Sequence, residues 1–225
     1  MKENVTRRNF LAAAGTAALA ATSTSVLAAE AGGGKTLKIL GIACSPRKGM
    51  TTAKAVQAAL DAAKAVDSRI EVELIDLGGL SIAGYSPKPP QDDFTAILPK
   101  LQGPAVAGLI IGSPSYFRGL SSLCKAFIER CAPLREPKML LADKPVGVVA
   151  VGQFRNGGQE LVIEQIQAAM LCFGMIPVGG HAPAFQGATL LSANDSVTQD
   201  DIGLKTAAQV GKHLGEAAIK LSKNS

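Results

Sequence analysis

The stretch of sequence that decides the fold is Lys38-Ile-Leu-Gly-Ile-Ala-Cys-Ser-Pro-Arg-Lys-Gly-Met-Thr-Thr52. Its first half is apolar enough for a buried strand, and the Ala-rich sequence after Thr52 favours a helix. The loop between them offers hydroxyls, backbone N–H groups and a guanidinium at the positive end of the helix dipole. Its spacing matches neither the dinucleotide fingerprint nor the nucleotide-triphosphate loop. We therefore predict that the loop binds a phosphate attached to a smaller organic group.

Four side chains of this loop are the candidate phosphate ligands, namely Ser45, Arg47, Thr51 and Thr52, and Met50 would contribute its backbone N–H. A turn followed by a helix cap is the simpler alternative, but it explains Thr52 alone. It gives no reason for Cys, Ser, Pro, Arg, Lys and Gly in a single loop, so phosphate binding is favoured.

Apolar strand patterns and helical patterns alternate beyond this loop. Strands are predicted over 38–43, 70–75, 106–112, 145–151 and 175–178, and irregular segments over 78–90 and 179–198. Five strands, each followed by a helix, predict an α/β fold with a doubly wound five-stranded parallel sheet in the order 2-1-3-4-5, in three α/β/α layers. Such sheets bind ligands beyond the carboxyl ends of their strands. The polar loops after strands one, three and four should therefore meet in one crevice.

The composition is that of one folded domain. The chain has 225 residues, of which 47% are apolar and 18% charged. Aromatic residues make up 4%, so a planar ligand would be held mainly by backbone and small side chains. The net charge of +5 comes from scattered Lys and Arg, which indicates a solvated surface and argues against nucleic-acid binding.

The N-terminal segment resembles a bacterial twin-arginine (Tat) export signal. Arg7 and Arg8 precede a weakly apolar stretch over 11–21, and small residues end at Ala28. An ordinary secretory signal is the alternative, whereas the stretch is too short for a membrane anchor. The pattern predicts export by the Tat machinery to the periplasm or beyond. The predicted division is 1–28 as signal peptide, 29–36 as flexible linker and 37–225 as the folded domain.

Four cysteines and two histidines give little basis for a metal site or a disulfide. Cys124 and Cys131 would lie on one helix with Cα atoms ~10.5 Å apart, beyond the ~7 Å limit for a bridge. His181 is either a proton donor or an ordinary loop histidine, and the second reading is favoured. No metal ligands are predicted.

Three motifs in order resemble the NADPH-dependent FMN reductase-like branch of the flavodoxin superfamily, and in particular its iron–sulfur flavoprotein-like and multimeric flavodoxin-like members. The similarity covers residues 38–180, with motifs Ser45-Pro-Arg-Lys-Gly-x-Thr51, Gly112-Ser-Pro-Ser-Tyr-Phe-Arg-Gly119 with Leu123-x-Lys-x-Phe-Ile-x-Arg130, and Gly157-Gly-Gln-Glu160 with Phe173-Gly-Met175. The resemblance implies non-covalent FMN with its phosphate in the first loop. It places Pro114, Ser115, Tyr116, Phe117 and Gly119 on one side of the flavin ring, and Gln153, Arg155, Asn156, Gly157 and Gly158 on the other.

The implied activity is that of an exported FMN-dependent oxidoreductase, with NAD(P)H as a possible donor and a quinone or flavin as a small acceptor. An FMN-containing electron shuttle that serves a redox partner protein is the alternative, and a member of the fold that binds no flavin is a third. The segment from Leu77 to Lys88 lacks the cysteines of the iron–sulfur members, so no cluster is expected. A homodimer or homotetramer is also implied.

Overall fold

Strands and helices alternate along residues 35–223, the part of the chain that the computed structural model describes. The predicted signal peptide and almost all of the predicted linker lie outside these residues. The strands are β1 (Leu37–Ala43), β2 (Ile70–Asp76), β3 (Val106–Tyr116), β4 (Gly119–Leu120), β5 (Pro145–Gly152), β6 (Ile176–Pro177) and β7 (Ala188–Leu191). The helices are α1 (Thr51–Lys64), α2 (Phe94–Leu101), α3 (Ser122–Arg130), α4 (Gln159–Leu171) and α5 (Asp201–Ser222), with a 3₁₀ turn at Ala132–Leu134.

The strands form a parallel sheet in the order β2-β1-β3-β5-β6, which confirms the predicted topology. The inner strands β1, β3 and β5 are apolar and buried on both faces, as parallel strands between helices must be. The edge strand β2 alternates apolar and polar residues over 70–74, and its Glu71 is exposed. Helices α2, α3 and α4 cover one face of the sheet and α1 and α5 the other, so the three-layer prediction is also confirmed.

The fifth position of the sheet differs from the prediction of one strand over 175–178. β6 pairs only with Pro145 and Val146 at the start of β5, whereas β7 pairs with residues 149–152 at its end. The chain leaves the sheet between them, where Gly179 and Gly180 follow the strand and weaken its continuation. The segment 179–198, predicted to be irregular throughout, therefore contains a buried strand.

The predicted loop over 113–119 is instead a tight β-hairpin. β3 continues to Tyr116 and pairs antiparallel with β4, in the register Tyr116 to Gly119. Phe117 and Arg118 form the two-residue turn with φ of 51° and 65°. Positive φ at both positions is the geometry of a type I′ turn, which matches the twist of the two strands. The hairpin carries Phe117 fully into solvent.

Candidate functional site

A cleft of about 440 Å³ lies at the carboxyl ends of β1, β3 and β5, where a doubly wound sheet binds its ligand. Of the predicted site residues, the cleft is lined by Ser45, Arg47, Thr51, Thr52, Pro114, Ser115, Tyr116 and Gln153. It is also lined by residues that the sequence did not single out, namely Val151, Gly152, Ser192, Asn194 and Asp195. The predicted residues that do not line it are Met50, Phe117, Gly119, Arg155, Asn156, Gly157 and Gly158.

The floor of the cleft has the chemistry of an anion site. The hydroxyl-bearing residues Ser45, in the loop after β1, and Thr51 and Thr52, at the start of α1, are buried. Met50 occupies the N-cap position, and no described side chain caps the helix there. The first turn contains no carboxylate, so the positive end of the dipole is not neutralised by the helix itself. Buried hydroxyls and free helix N–H groups fit a phosphate of the size that FMN carries.

Asp76 shapes the phosphate loop from the neighbouring strand. Its carboxylate accepts hydrogen bonds from the backbone N–H groups of Gly49 at 2.6 Å and Gly78 at 2.9 Å. A Cβ at Gly78 would lie 2.4 Å from the backbone of Lys48, so the two loops touch directly. Asp76 is not among the predicted site residues, although an Asp that ends a strand ahead of Gly-Gly is a recognisable turn signal.

Ser121 fixes the loop from the other side. Its buried hydroxyl donates to the carbonyl of Cys44 at 2.7 Å and accepts from the backbone N–H of Cys124 at 3.0 Å. The residue is thus the N-cap of α3 and also the tie between that helix and the end of β1. Because Ser45 follows Cys44, this hydroxyl helps to position the anion site.

The two loops that were expected on opposite sides of a flavin ring contact each other. Ser115 Oγ donates to the carbonyl of Gly157 at 2.6 Å. Gly158 has φ of 91°, and a Cβ there would lie 2.7 Å from Cα of Arg118. The hairpin and the loop after β5 therefore touch at this point, and the placement of their residues on the two sides of a flavin ring stays a prediction.

Both predicted arginine ligands are paired with carboxylates of the segment after β7. Arg47 Nη1 lies 2.7 Å from Oδ1 of Asp195, and this hydrogen bond raises the pKa of Arg47. Arg155 Nη2 lies 2.7 Å from Oδ1 of Asp200, which also caps α5 by accepting from the N–H of Gly203. Arg155 is thus a structural partner of a helix cap, whereas Arg47 remains in the cleft.

The buried cysteines and the histidines lie outside this chemistry. Burial raises the pKa of the Cys44 and Cys131 thiols, which keeps them protonated and unreactive. His181 stacks on His213 with ring centroids 5.7 Å apart, and His213 Nδ1 lies 2.7 Å from the carbonyl of Gly179. Neither histidine lines the cleft, so neither is placed to exchange a proton there.

Comparison with known proteins agrees with the flavodoxin-like fold. The family model for NADPH-dependent FMN reductases matches residues 37–189, and the chain belongs to this family. An iron–sulfur flavoprotein of Methanocaldococcus jannaschii is 38% identical over 198 residues, which cover 83% of this chain and 100% of that protein. An iron–sulfur flavoprotein of Methanosarcina thermophila is 30% identical over 197 residues, covering 84% and 98%.

Solved structures support the same fold. RosB, with bound 8-demethyl-8-formylriboflavin-5'-phosphate, superposes with a TM-score of 0.65 at 15% identity, over 84% of this chain and 81% of RosB. A WrbA-like flavodoxin of Agrobacterium tumefaciens gives 0.58 at 17% identity, over 83% and 99%. Family membership makes the chain an FMN-dependent oxidoreductase with FMN as its cofactor, and NAD(P)H as donor agrees with the family.

The cysteines of residues 35–223 are not grouped in the way that the ligands of an iron–sulfur cluster are. Such clusters need several cysteine thiolates, and three of the four cysteines here are buried and packed in the core, while Cys172 alone is exposed. Within residues 35–223, no three side chains of the metal-ligating types are grouped to hold a metal ion. Over the same residues, no helix combines the length and the apolar character that a membrane span requires.

Proposed function

We propose that this FMN-dependent oxidoreductase transfers electrons from NAD(P)H, or from an equivalent donor outside the cytoplasm, to a small acceptor such as a quinone or a flavin. The observation that carries the proposal is the cleft at the end of β1, where buried Ser45, Thr51 and Thr52 hydroxyls meet the uncapped start of α1. FMN, when bound, supplies hydride or single-electron transfer at its flavin ring.

The residues of the chain hold and orient this cofactor. Ser45, Thr51 and Thr52 would bind its phosphate, with Arg47 at the rim. Pro114, Ser115 and Tyr116 on the hairpin and Gln153 after β5 would contact the remainder through backbone and polar groups. Nothing in this set calls for a covalent bond to the flavin, so binding is proposed to be non-covalent.

We further propose export through the Tat machinery, on the basis of Arg7 and Arg8 and the apolar stretch behind them. The pathway moves folded proteins, which suits a domain that loads FMN in the cytoplasm. In the periplasm a quinol or a redox protein would replace the nicotinamide. A homodimer or homotetramer is proposed from the resemblance to the family, with segments 78–90 and 179–198 as the interface.

An FMN electron shuttle is the second candidate function. Phe117 and Phe154 are large, exposed aromatic side chains on the two joined loops beside the cleft. Exposed apolar groups next to a redox site provide a contact surface for a partner protein. The cleft lining includes no histidine among the described residues, so a dedicated proton donor of that type is missing there.

A spectrum and a kinetic test separate these functions. Protein purified from its host should show an oxidised-flavin band near ~450 nm. Stopped-flow bleaching by NADH or NADPH supports the reductase, whereas bleaching only by a reduced redox protein supports the shuttle. Protein that stays colourless after addition of FMN contradicts both.

Substitution of one loop side chain tests the phosphate site. Arg47→Ala should weaken FMN binding by ~1.5–3 kcal/mol if the guanidinium makes a charge-assisted bond to phosphate. Lys48→Ala is the matched control, because Lys48 is exposed in the same loop and does not line the cleft. Fluorescence titration with FMN measures both variants. Equal affinities for the two would remove Arg47 from the site.

A further inference from the structure

An acidic side chain faces the anion site across the cleft. Asp195 lies 148 positions from Arg47 along the chain, and its carboxylate accepts a 2.7 Å hydrogen bond from that guanidinium. Both side chains also line the cleft that holds the phosphate loop. A carboxylate at this place is unexpected in a site for a phosphate dianion, because like charges repel.

The carboxylate is presented by a small hairpin. Ala193 and Ser196 form an antiparallel bridge, and Asn194 and Asp195 make its turn with φ of 49° and 57°. The base of the hairpin is fixed to the sheet, since the N–H of Ser192 donates to the carbonyl of Gly152 at 2.8 Å. The tip, at Asn194 and Asp195, lies beyond this attachment and reaches Arg47 of the phosphate loop.

The ion pair is weak enough to be replaced. The side chain of Arg47 is 48% exposed and that of Asp195 is 60% exposed, so water and salt screen their attraction. A phosphate monoester carries close to two negative charges at neutral pH and offers three acceptor oxygens. It therefore competes well for a guanidinium that a single exposed carboxylate holds.

We propose that Asp195 sets the affinity for FMN, because Arg47 must exchange this carboxylate for the cofactor's phosphate. The inference rests on the FMN site described above. The exchange breaks one ion pair and forms another on the same guanidinium, and the hairpin tip moves away from the phosphate loop. The free-energy cost of breaking the Arg47–Asp195 pair applies only to ligands that carry a phosphate, since riboflavin leaves this pair intact. Asp195 thus acts as an affinity-setting residue for the phosphate end of the cofactor.

Binding of FMN and of riboflavin to Asp195→Asn tests the proposal. Removal of the competing charge should raise FMN affinity by about two- to five-fold, the effect of an exposed ion pair, and should leave riboflavin affinity unchanged. In the Arg47→Ala background the same substitution should have little effect, because the contested guanidinium is absent. Asp195→Gly, which suits the left-handed backbone, provides a second variant.

Asp143→Asn is the matched control. Asp143 is also exposed, also has a positive φ of 61°, and precedes β5 at the opposite end of the sheet. Its substitution removes the same charge and should not change FMN affinity. Unchanged or weaker FMN binding by Asp195→Asn overturns the proposal, as does an equal gain for riboflavin or an equal gain without Arg47. In each of these cases the parent protein still binds FMN. Failure of the parent protein to bind FMN would instead refute the cofactor site itself.

Discussion

Replacement of Ser121 by Ala should loosen the frame of the anion site. The hydroxyl has two buried partners, the carbonyl of Cys44 and the backbone N–H of Cys124, at 2.7 and 3.0 Å. Alanine removes both bonds while it leaves the backbone N–H of Ser121 bonded to Ser113 Oγ. The end of β1 then loses its tie to α3, directly ahead of Ser45.

The expected magnitude follows from these two losses. An N-cap serine contributes ~1 kcal/mol to helix stability. A buried carbonyl left without its donor costs ~1–3 kcal/mol. The free energy of unfolding should therefore fall by about 2–4 kcal/mol, with an unchanged denaturant slope. FMN affinity should fall as well, because the phosphate loop starts at the released carbonyl.

Urea denaturation, followed by circular dichroism, measures the stability of this variant against that of Ser122→Ala. Ser122 is the next residue and is exposed at the first position of α3, so its alanine variant should stay within about 0.5 kcal/mol of the parent. A Ser121→Ala protein as stable as the Ser122→Ala protein would refute the reasoning. A Ser121→Ala protein of unchanged stability but much lower FMN affinity would also refute it, since that result would place Ser121 in direct contact with the cofactor.

Two further predictions concern buried charge. Arg130→Met breaks a buried pair with Asp92 and should lower the free energy of unfolding, measured by urea denaturation, by about 3–5 kcal/mol. Lys125→Met breaks the exposed pair with Glu129 and should lower it by under about 1 kcal/mol. Similar losses for the two variants would contradict the argument from burial. Burial raises the pKa of Asp200, but hydrogen bonds from its arginine partner and two backbone N–H groups outweigh this and hold the pKa below its usual value. The contribution of Asp200 to stability is therefore present above pH ~4 and lost as the pH falls through the lowered pKa. Asp200→Asn should lower the free energy of unfolding by about 1–3 kcal/mol at pH 7, and by progressively less near pH 3. A difference between variant and parent that stayed constant with pH would exclude this titration.

The local part of the site could be predicted from the sequence. A strand, a polar loop and a helix that follow one another within residues 37–64 fix their own geometry through hydrophobic pattern and helix dipole. Ser45, Thr51 and Thr52 were identified in this way, and they do line one cleft. The parallel order of the sheet followed as well, because alternating strands and helices leave few topologies.

The parts that were missed depend on contacts between distant segments. Asp76 bonds to Gly49 across 27 positions, and Asp195 bonds to Arg47 across 148. Hydrophobic periodicity does not indicate which distant residues contact each other, so neither pair could be predicted from a single sequence. The partner of Arg155 could not be predicted for the same reason, since Asp200 lies 45 positions away and caps a helix.

The interrupted fifth strand explains why a carboxylate reaches the anion site at all. β6 pairs with the start of β5 and β7 pairs with its end, and both run parallel to β5 along the same side of that strand. The carboxyl end of β7 at Leu191 therefore reaches the level of Gly152, at the edge of the sheet where β1 and β3 also end. If β6 had continued without interruption, the strand would have reached its carboxyl end before residue 188, and the chain would have entered the following helix from that point. The excursion over 179–187 thus adds a wall to the cleft, and Asp195 lies at the tip of that wall.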